Sequence, residues 1–254
     1  MSDEEPLPTP IPAATLIIFR AAANGPPEIL MVERAKAMVF AGGAMVFPGG
    51  RIDPGDHVLA ELIGGDEETA ARIGAVRETI EEAGLPVGLK ETPSAEALAT
   101  MRAALHAGGS FAEALAAAGA ELDLAQLVPW ARWRPAHRHM RIFDTRFFLA
   151  ELPADAPRAT VDQTENVRLV WATAAQVLAD ADAGRLEVIY PTRRNLERLA
   201  QFNSYTEAAA HARATPVKVI TPFAEERNGQ PHLCIPDDAG YPVTSEAVSE
   251  AIRG

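Results

Sequence analysis

Cysteine is nearly absent: Cys234 is the only one in 254 residues. No internal disulfide can form and no thiol cluster exists for zinc, which fits a reducing cytoplasm. Long apolar runs are missing too. No uninterrupted stretch approaches the roughly 20 residues that span a bilayer, and the first ten residues, MSDEEPLPTP, lack the basic start and apolar core of a secretory signal. Positive charge is scarce: 23 Lys and Arg face 35 Asp and Glu, a formal net charge of −12. Such a surface repels nucleic-acid backbones and anionic membranes, so neither is an expected partner. A small anionic substrate needs locally placed Arg or Lys, or a metal ion. No unit of about 20–50 residues recurs, so a solenoid is excluded. What remains is ordinary globular material, 48% hydrophobic and 23% charged, enough for one generous domain.

Residues 1–12 carry four prolines and three acids and read as a loose tail. AATLIIFR (Ala13 to Arg20) and EILMVER (Glu28 to Arg34) read as strands joined by the turn signal Asn24-Gly25-Pro26-Pro27, an antiparallel hairpin. Residues 41–56 hold five glycines and two prolines around Met45 to Phe47, a strand running into a tight loop. Asp66 to Ala83 reads as a helix. Apolar Ala70, Ile73, Val76 and Ile80 recur at spacings of 3 and 4, acids fill its first turn, Gly74 weakens its middle and Gly84 caps its end. Residues 93–127 predict two or three short helices. Further strands are expected from Met140 onward and from Asn166, and helices from Thr173 to Gly184 and from Pro191. The segment after Pro222 reads as irregular. Alternating strands and helices give a mixed α/β (α+β) fold.

The chemistry is concentrated in RETIEEAGL, Arg77 to Leu85. Glu78, Glu81 and Glu82 stand at i, i+3 and i+4, one face of one helix. Carboxylates about 5 Å apart repel by roughly 3 kcal/mol per pair at an effective dielectric near 20. A hard divalent cation removes that cost, because carboxylate oxygens are what Mg2+ and Mn2+ bind. Arg77 lies about 100° around the helix from Glu78, off the carboxylate face, and is placed to fold back toward Glu78 or the preceding loop. Taken alone, the trio is better explained as a solvated acidic helix face. The glycine loop FPGGRIDPGD, Phe47 to Asp56, changes the balance. Gly49 and Gly50 let the backbone approach a ligand with no Cβ in the way, and a carbonyl there can complete a metal's oxygen shell.

Together these segments resemble the Nudix box: Gly, five residues, Glu, seven residues, then Arg-Glu-U-x-Glu-Glu-x-Gly-U, with U apolar. RETIEEAGL matches the second half, with Thr79 in an apolar slot, and PGGRIDPGD the first, with Gly50 as the opening glycine. Asp56 stands where the family has Glu. Twenty residues, His57 to Val76, separate it from Arg77 where seven are usual, so the extra thirteen form a loop or a helix lead-in. That insertion, with FPGG ahead of it, resembles the Nudix subgroup of the animal peroxisomal coenzyme A diphosphatase. ILMVERAKAMVFAGGAMVFPGG, WARWRPAHRHMRIFDTRFFLA and RRNLERLAQF extend the likeness across residues 13–222.

The resemblance implies a Nudix fold, a mixed sheet sandwiched between helices. The domain covers 13–222, with a helical insertion at about 93–127, and an irregular segment follows at 223–254. It implies that Glu78, Glu81 and Glu82 hold Mg2+ or Mn2+, that Gly49 or Gly50 supplies a carbonyl, and that Arg77 orients Glu78. Glu165 is a candidate general base, with an ordinary loop Glu an equally good reading. For coenzyme A, candidate phosphate-binding cations are Arg34, Lys36, Arg51, Arg138 and Arg141. Trp133, with Trp130 and Phe143, is a candidate to stack on adenine or line the pantetheine channel. The expected partner is a small-molecule nucleotide, coenzyme A or acyl-CoA first, with ADP-ribose, NADH or another dinucleotide as alternatives and a homodimer left open. A non-catalytic nucleotide-binding module is the reading from a different class; the intact Glu trio argues against it and the Asp56 replacement for it.

Overall fold

A computed structural model describes residues 8–37, 41–136, 141–161 and 166–251. The first half runs β1 (Ile11–Arg20), β2 (Glu28–Arg34), β3 (Met45–Val46), β4 (Gly49–Arg51), α1 (Pro54–Leu62) and α2 (Glu67–Ala83). Helices α3 (Ala95–His106) and α4 (Phe111–Ala118) and a 3-10 turn at Leu124–Gln126 follow, then β5 (Val128–Trp133), β6 (Phe143–Glu151) and β7 (Asn166–Ala172). Helices α5 (Ala174–Asp182), α6 (Tyr190–Leu199) and α7 (Tyr205–Ala214) lead to β8 (Val219–Ile220). The chain closes with β9 (Phe223–Arg227), β10 (Gln230–Cys234), β11 (Ser245–Ala247) and the single turn α8 (Val248–Ala251).

The main sheet has the order β3-β2-β1-β6-β5-β8, with β7 also on β2 and β4 also on β1. It is mixed: β1 and β6 run parallel, as do β5 and β8, while the other pairs are antiparallel. β1 shows why its sequence is apolar at successive positions. Ala14, Leu16 and Ile18 face α2 and pack with Ile73, Val76 and Ile80. Ile17 and Phe19 face the other way, onto Trp130, Trp133, Leu196 and Leu199. A strand buried on both faces cannot alternate polar with apolar; each large side chain so buried stabilises by about 1.5–3 kcal/mol.

Helix α2 starts where Asp66 accepts from Thr69 N–H at 3.0 Å and ends at Gly84, whose φ of 65° suits a residue without a Cβ. The residues linking Asp56 to α2, expected as a loop or lead-in, form a separate helix. α1 begins with Pro54 in its first turn, and the Asp56 carboxylate accepts from Asp53 N–H at 2.9 Å. The segment after Pro222, expected to be irregular, instead folds into a three-stranded sheet, β11-β10-β9. Asn228 and Gly229, with φ of 52° and 77°, turn β9 back onto β10. β5 begins at Val128, ahead of the strand expected from Met140; its bulge between Pro129 and Ala131 interrupts the pattern a strand would show. Among the described residues no helix is long and apolar enough to cross a membrane.

Candidate active site

The site forms where β1 exchanges partners. Its end nearest Arg20 pairs with β2, and Ala13 to Thr15 pair instead with Arg51 to Gly49 of β4. That brings the glycine bend against the last two turns of α2. A Cβ built on Gly50 falls 2.4 Å from Glu78 Cδ and Oε1, so a side chain there and the Glu78 carboxylate cannot share the space. Gly49 N–H donates to Glu82 Oε2 at 2.8 Å. The other Glu82 oxygen accepts from Asn166 Nδ2 at 2.8 Å. Both residues are buried, so Glu82 is held from β4 on one side and β7 on the other.

Arg77 is the hub. Its Nη1 donates to Glu78 Oε1 and to Glu81 Oε1, each at 2.9 Å. Its Nε donates to Asp56 Oδ1 at 3.1 Å, and its Nη2 to Asp56 Oδ2 and to the Arg51 carbonyl, each at 2.8 Å. Arg77, about 100° around the helix from Glu78, folds back as expected toward both Glu78 and the preceding loop, and its length lets it reach Glu81 as well. Asp56 is 1% exposed, so its fork with Arg77 is a buried pair of charge-assisted hydrogen bonds. Gly74 makes the pair possible, since a Cβ there lies 3.1 Å from Asp56 Oδ2. The glycine that weakens α2 in isolation is the notch that admits Asp56.

The electrostatics follow from the carboxylates of Asp56, Glu78 and Glu81 gathered around the Arg77 guanidinium, with Asp53 3.7 Å from it and the Glu82 charge acting on Glu78. Burial pushes the Glu78 carboxyl up to about 8; the charges of Glu82 and Glu81 add to the rise, and Arg77 opposes it. Burial alone lowers an arginine's pKa, but hydrogen bonding to Asp56 and the charges of Glu78 and Asp56 hold Arg77 above its ordinary range. The donors are oxygens throughout, the set that suits a hard divalent cation. Among the described residues no three acidic, His or Cys side chains converge as a preformed metal site. Arg77 occupies one oxygen each of Glu78 and Glu81, and Gly49 and Asn166 occupy Glu82. The residues fit such an ion by charge surplus and oxygen chemistry.

The other sequence candidates scatter. Arg51 gives its carbonyl to Arg77 and exposes its side chain. Arg34 ends β2, half-buried and paired in register with Asn166, so it flanks the site. Arg141 is exposed just ahead of β6. Arg138 and Glu165 lie outside the described residues. Trp133 is a correction. It is 1% exposed, in the core on the face away from α2, and its Nε1 donates to Tyr241 Oη at 2.9 Å. A ring enclosed there cannot stack on a ligand beside Glu78. Sequence reasoning missed Asn166, for which position after a run of polar loop residues is no signal without the contact itself.

No protein-family model matches the chain. Nudix hydrolase 7 of Caenorhabditis elegans is 28% identical over 246 residues, 95% of this chain and 77% of its own. A NUDIX hydrolase from Alicyclobacillus acidocaldarius, known as a crystal structure, is 31% identical over 80% of this chain and 96% of its own, with a TM-score of 0.67. Its backbone therefore follows this one as its sequence does, and likeness of that extent makes the chain a member of the Nudix hydrolase family.

Proposed function

We propose that this hydrolase cleaves a diphosphate linkage in a nucleotide derivative, using Mg2+ or Mn2+ held by Glu78, Glu81 and Glu82 and by a carbonyl of Gly49 or Gly50. The observation that carries this reading is the excess of carboxylate over cation around Arg77, pressed against a bend where only glycine fits. When bound, the divalent ion neutralises diphosphate charge and lowers the pKa of a water molecule. Arg77 keeps Glu78 and Glu81 apart and aimed, with Asp56 fixing Arg77 from behind. Gly49 and Asn166 do the same for Glu82, so that little reorganisation is needed during the reaction. Glu165, which directly precedes Asn166 in sequence, is the candidate to accept the proton from water.

Coenzyme A or an acyl-CoA is the first substrate class, supported by the likeness of residues 13–222 to that subgroup. Arg34 and Arg51, with Arg138 and Arg141, are the candidate cations for its phosphates. The test is turnover of coenzyme A, its 3′-dephospho analogue, ADP-ribose and NADH with each metal. Coenzyme A is expected to lead, and the 3′-dephospho analogue to fall behind it. ADP-ribose or NADH in front would reassign the substrate. Glu82→Gln is expected to abolish turnover with the fold intact; undiminished turnover would remove Glu82 from the site.

A further inference from the structure

The last four carbonyls of an α-helix have no partner within the helix. In α2 they belong to Ile80, Glu81, Glu82 and Ala83, and all four are satisfied. Gly84 N–H donates to Ile80 O at 3.0 Å and Thr160 N–H to Ala83 O at 3.0 Å. The middle two go to one side chain from α3: Arg102 Nε donates to Glu81 O at 2.8 Å and Nη2 to Glu82 O at 3.0 Å. The same guanidinium also holds the β6–β7 connection, donating from Nη2 to Thr160 O at 2.8 Å and from Nη1 to Thr160 Oγ1 at 2.7 Å. Gly84 leaves room for it, since a Cβ there lies 3.2 Å from Arg102 Nη1.

We infer that Arg102 is a positioning residue for the hydrolytic site. It grips the main chain of the two residues, Glu81 and Glu82, whose side chains form the carboxylate cluster. It ties that main chain to the segment leading to Asn166, which bonds Glu82 from the other side. A cation at a helix C-terminus is also favoured by the helix dipole. Through Arg102, α3 is therefore part of the active-site frame, joining the end of α2 to Thr160. Arg102 is half-buried, and its guanidinium donates to main-chain carbonyls and to Thr160.

The inference rests on the proposed metal-binding role of the glutamates, and the experiment separates the two. Mn2+ binding is measured directly, by the electron paramagnetic resonance of free Mn2+, beside kcat, KM and thermal melting. Arg102→Ala is expected to weaken Mn2+ binding by about tenfold, the lower end for outer-shell partners of metal ligands, and to lower kcat by about ten- to a hundredfold, with KM within about threefold. Arg102→Lys, which keeps the charge but not the fork of donors, should fall between. Wild-type Mn2+ affinity and kcat in a folded Arg102→Ala protein would overturn the inference. Should that variant not fold, Thr160→Val, which removes only the Oγ1 contact, is expected to weaken Mn2+ binding by about threefold at unchanged melting temperature, and wild-type affinity there would equally overturn it. Glu82→Gln is the control: if it binds Mn2+ like the wild type, the metal assignment fails and not the role of Arg102.

Discussion

Alanine at Gly49 and at Gly50, one methyl group each, should fail in opposite ways. At Gly50 the new Cβ meets Glu78 Cδ and Oε1 at 2.4 Å and Oε2 at 2.6 Å. These atoms end a flexible side chain, so the clash is relieved by rotating Glu78 until contact returns to about 3.4 Å. The carboxylate then sits about 1 Å from its place. A misplacement of that size costs about a hundredfold in rate, or about 2.7 kcal/mol of transition-state stabilisation, while stability changes by less than about 1 kcal/mol. At Gly49 the Cβ meets the Ala14 carbonyl at 2.4 Å and Thr15 Cα at 2.7 Å, backbone atoms of the central strand that cannot rotate away. Overpacking against main chain should cost about 3 kcal/mol or more in stability. Urea denaturation gives one axis, and kcat with the Mg2+ concentration for half-maximal rate gives the other. Gly50→Ala should lie far along the kinetic axis and Gly49→Ala far along the stability axis. A Gly50→Ala enzyme with wild-type kcat and metal requirement would refute the placement of Glu78 against the bend.

Two more outcomes follow from the same cluster. Asp56→Asn should destabilise the fold by about 1.5–3 kcal/mol, because it turns charge-assisted hydrogen bonds to Arg77 into neutral ones while Glu78 and Glu81 still balance the guanidinium. Asp56→Glu, although it restores the residue usual in the family, should also lose about 1–3 kcal/mol, since a side chain only 1% exposed must lengthen inside a packed interior; urea denaturation measures both, and a stabilised Asp56→Glu would contradict the packing. The third outcome concerns pH. Burial, opposed by the Arg77 charge and reinforced by those of Glu82 and Glu81, pushes the Glu78 carboxyl up to about 8 in the folded chain, against an ordinary 4.5. Its contribution to the stability of the metal-free protein is therefore full below about 4.5 and lost as pH rises through about 8. Urea titrations in EDTA should show that decline, and Glu78→Gln should remove it; the same decline in Glu78→Gln would assign it to other groups.

The elements legible in the sequence were those whose neighbours along the chain decide them. α2 carries its own period and both caps, and β1 and β2 are apolar runs bounded by turn residues. The glutamate trio and the glycine bend were legible because one helix and one tight loop place them. α1 was hidden because Asp53-Pro54-Gly55-Asp56 reads as a turn. The same letters start a helix when proline takes the first turn and the second Asp reaches back to the first, the signal that could have revealed it. Asn228-Gly229 was a hairpin signal of the same kind, overlooked because β9 is exposed at every position and shows no alternation. What no local pattern contains is contact across the chain. Asn166 lies 84 residues from Glu82, and Arg102 lies 58 from Thr160. The core placement of Trp133 likewise depends on Tyr241, 108 residues away.

Asp56 and Arg77 clasp each other across a gap that the intervening chain merely bridges. Once the clasp is made through space, the length of the bridge ceases to matter. Extra turns can be spliced in at Ile63 to Gly65, between the two helices, and both hands stay where they are. The chain is thus free to gain length at that junction with the chemistry untouched, whereas trimming back into α1 would remove Ala60 from the core beside α2. A kinship measured by counting residues from the first half of the signature to the second will pass over chains that have used that freedom, whereas one measured by which side chains meet will not.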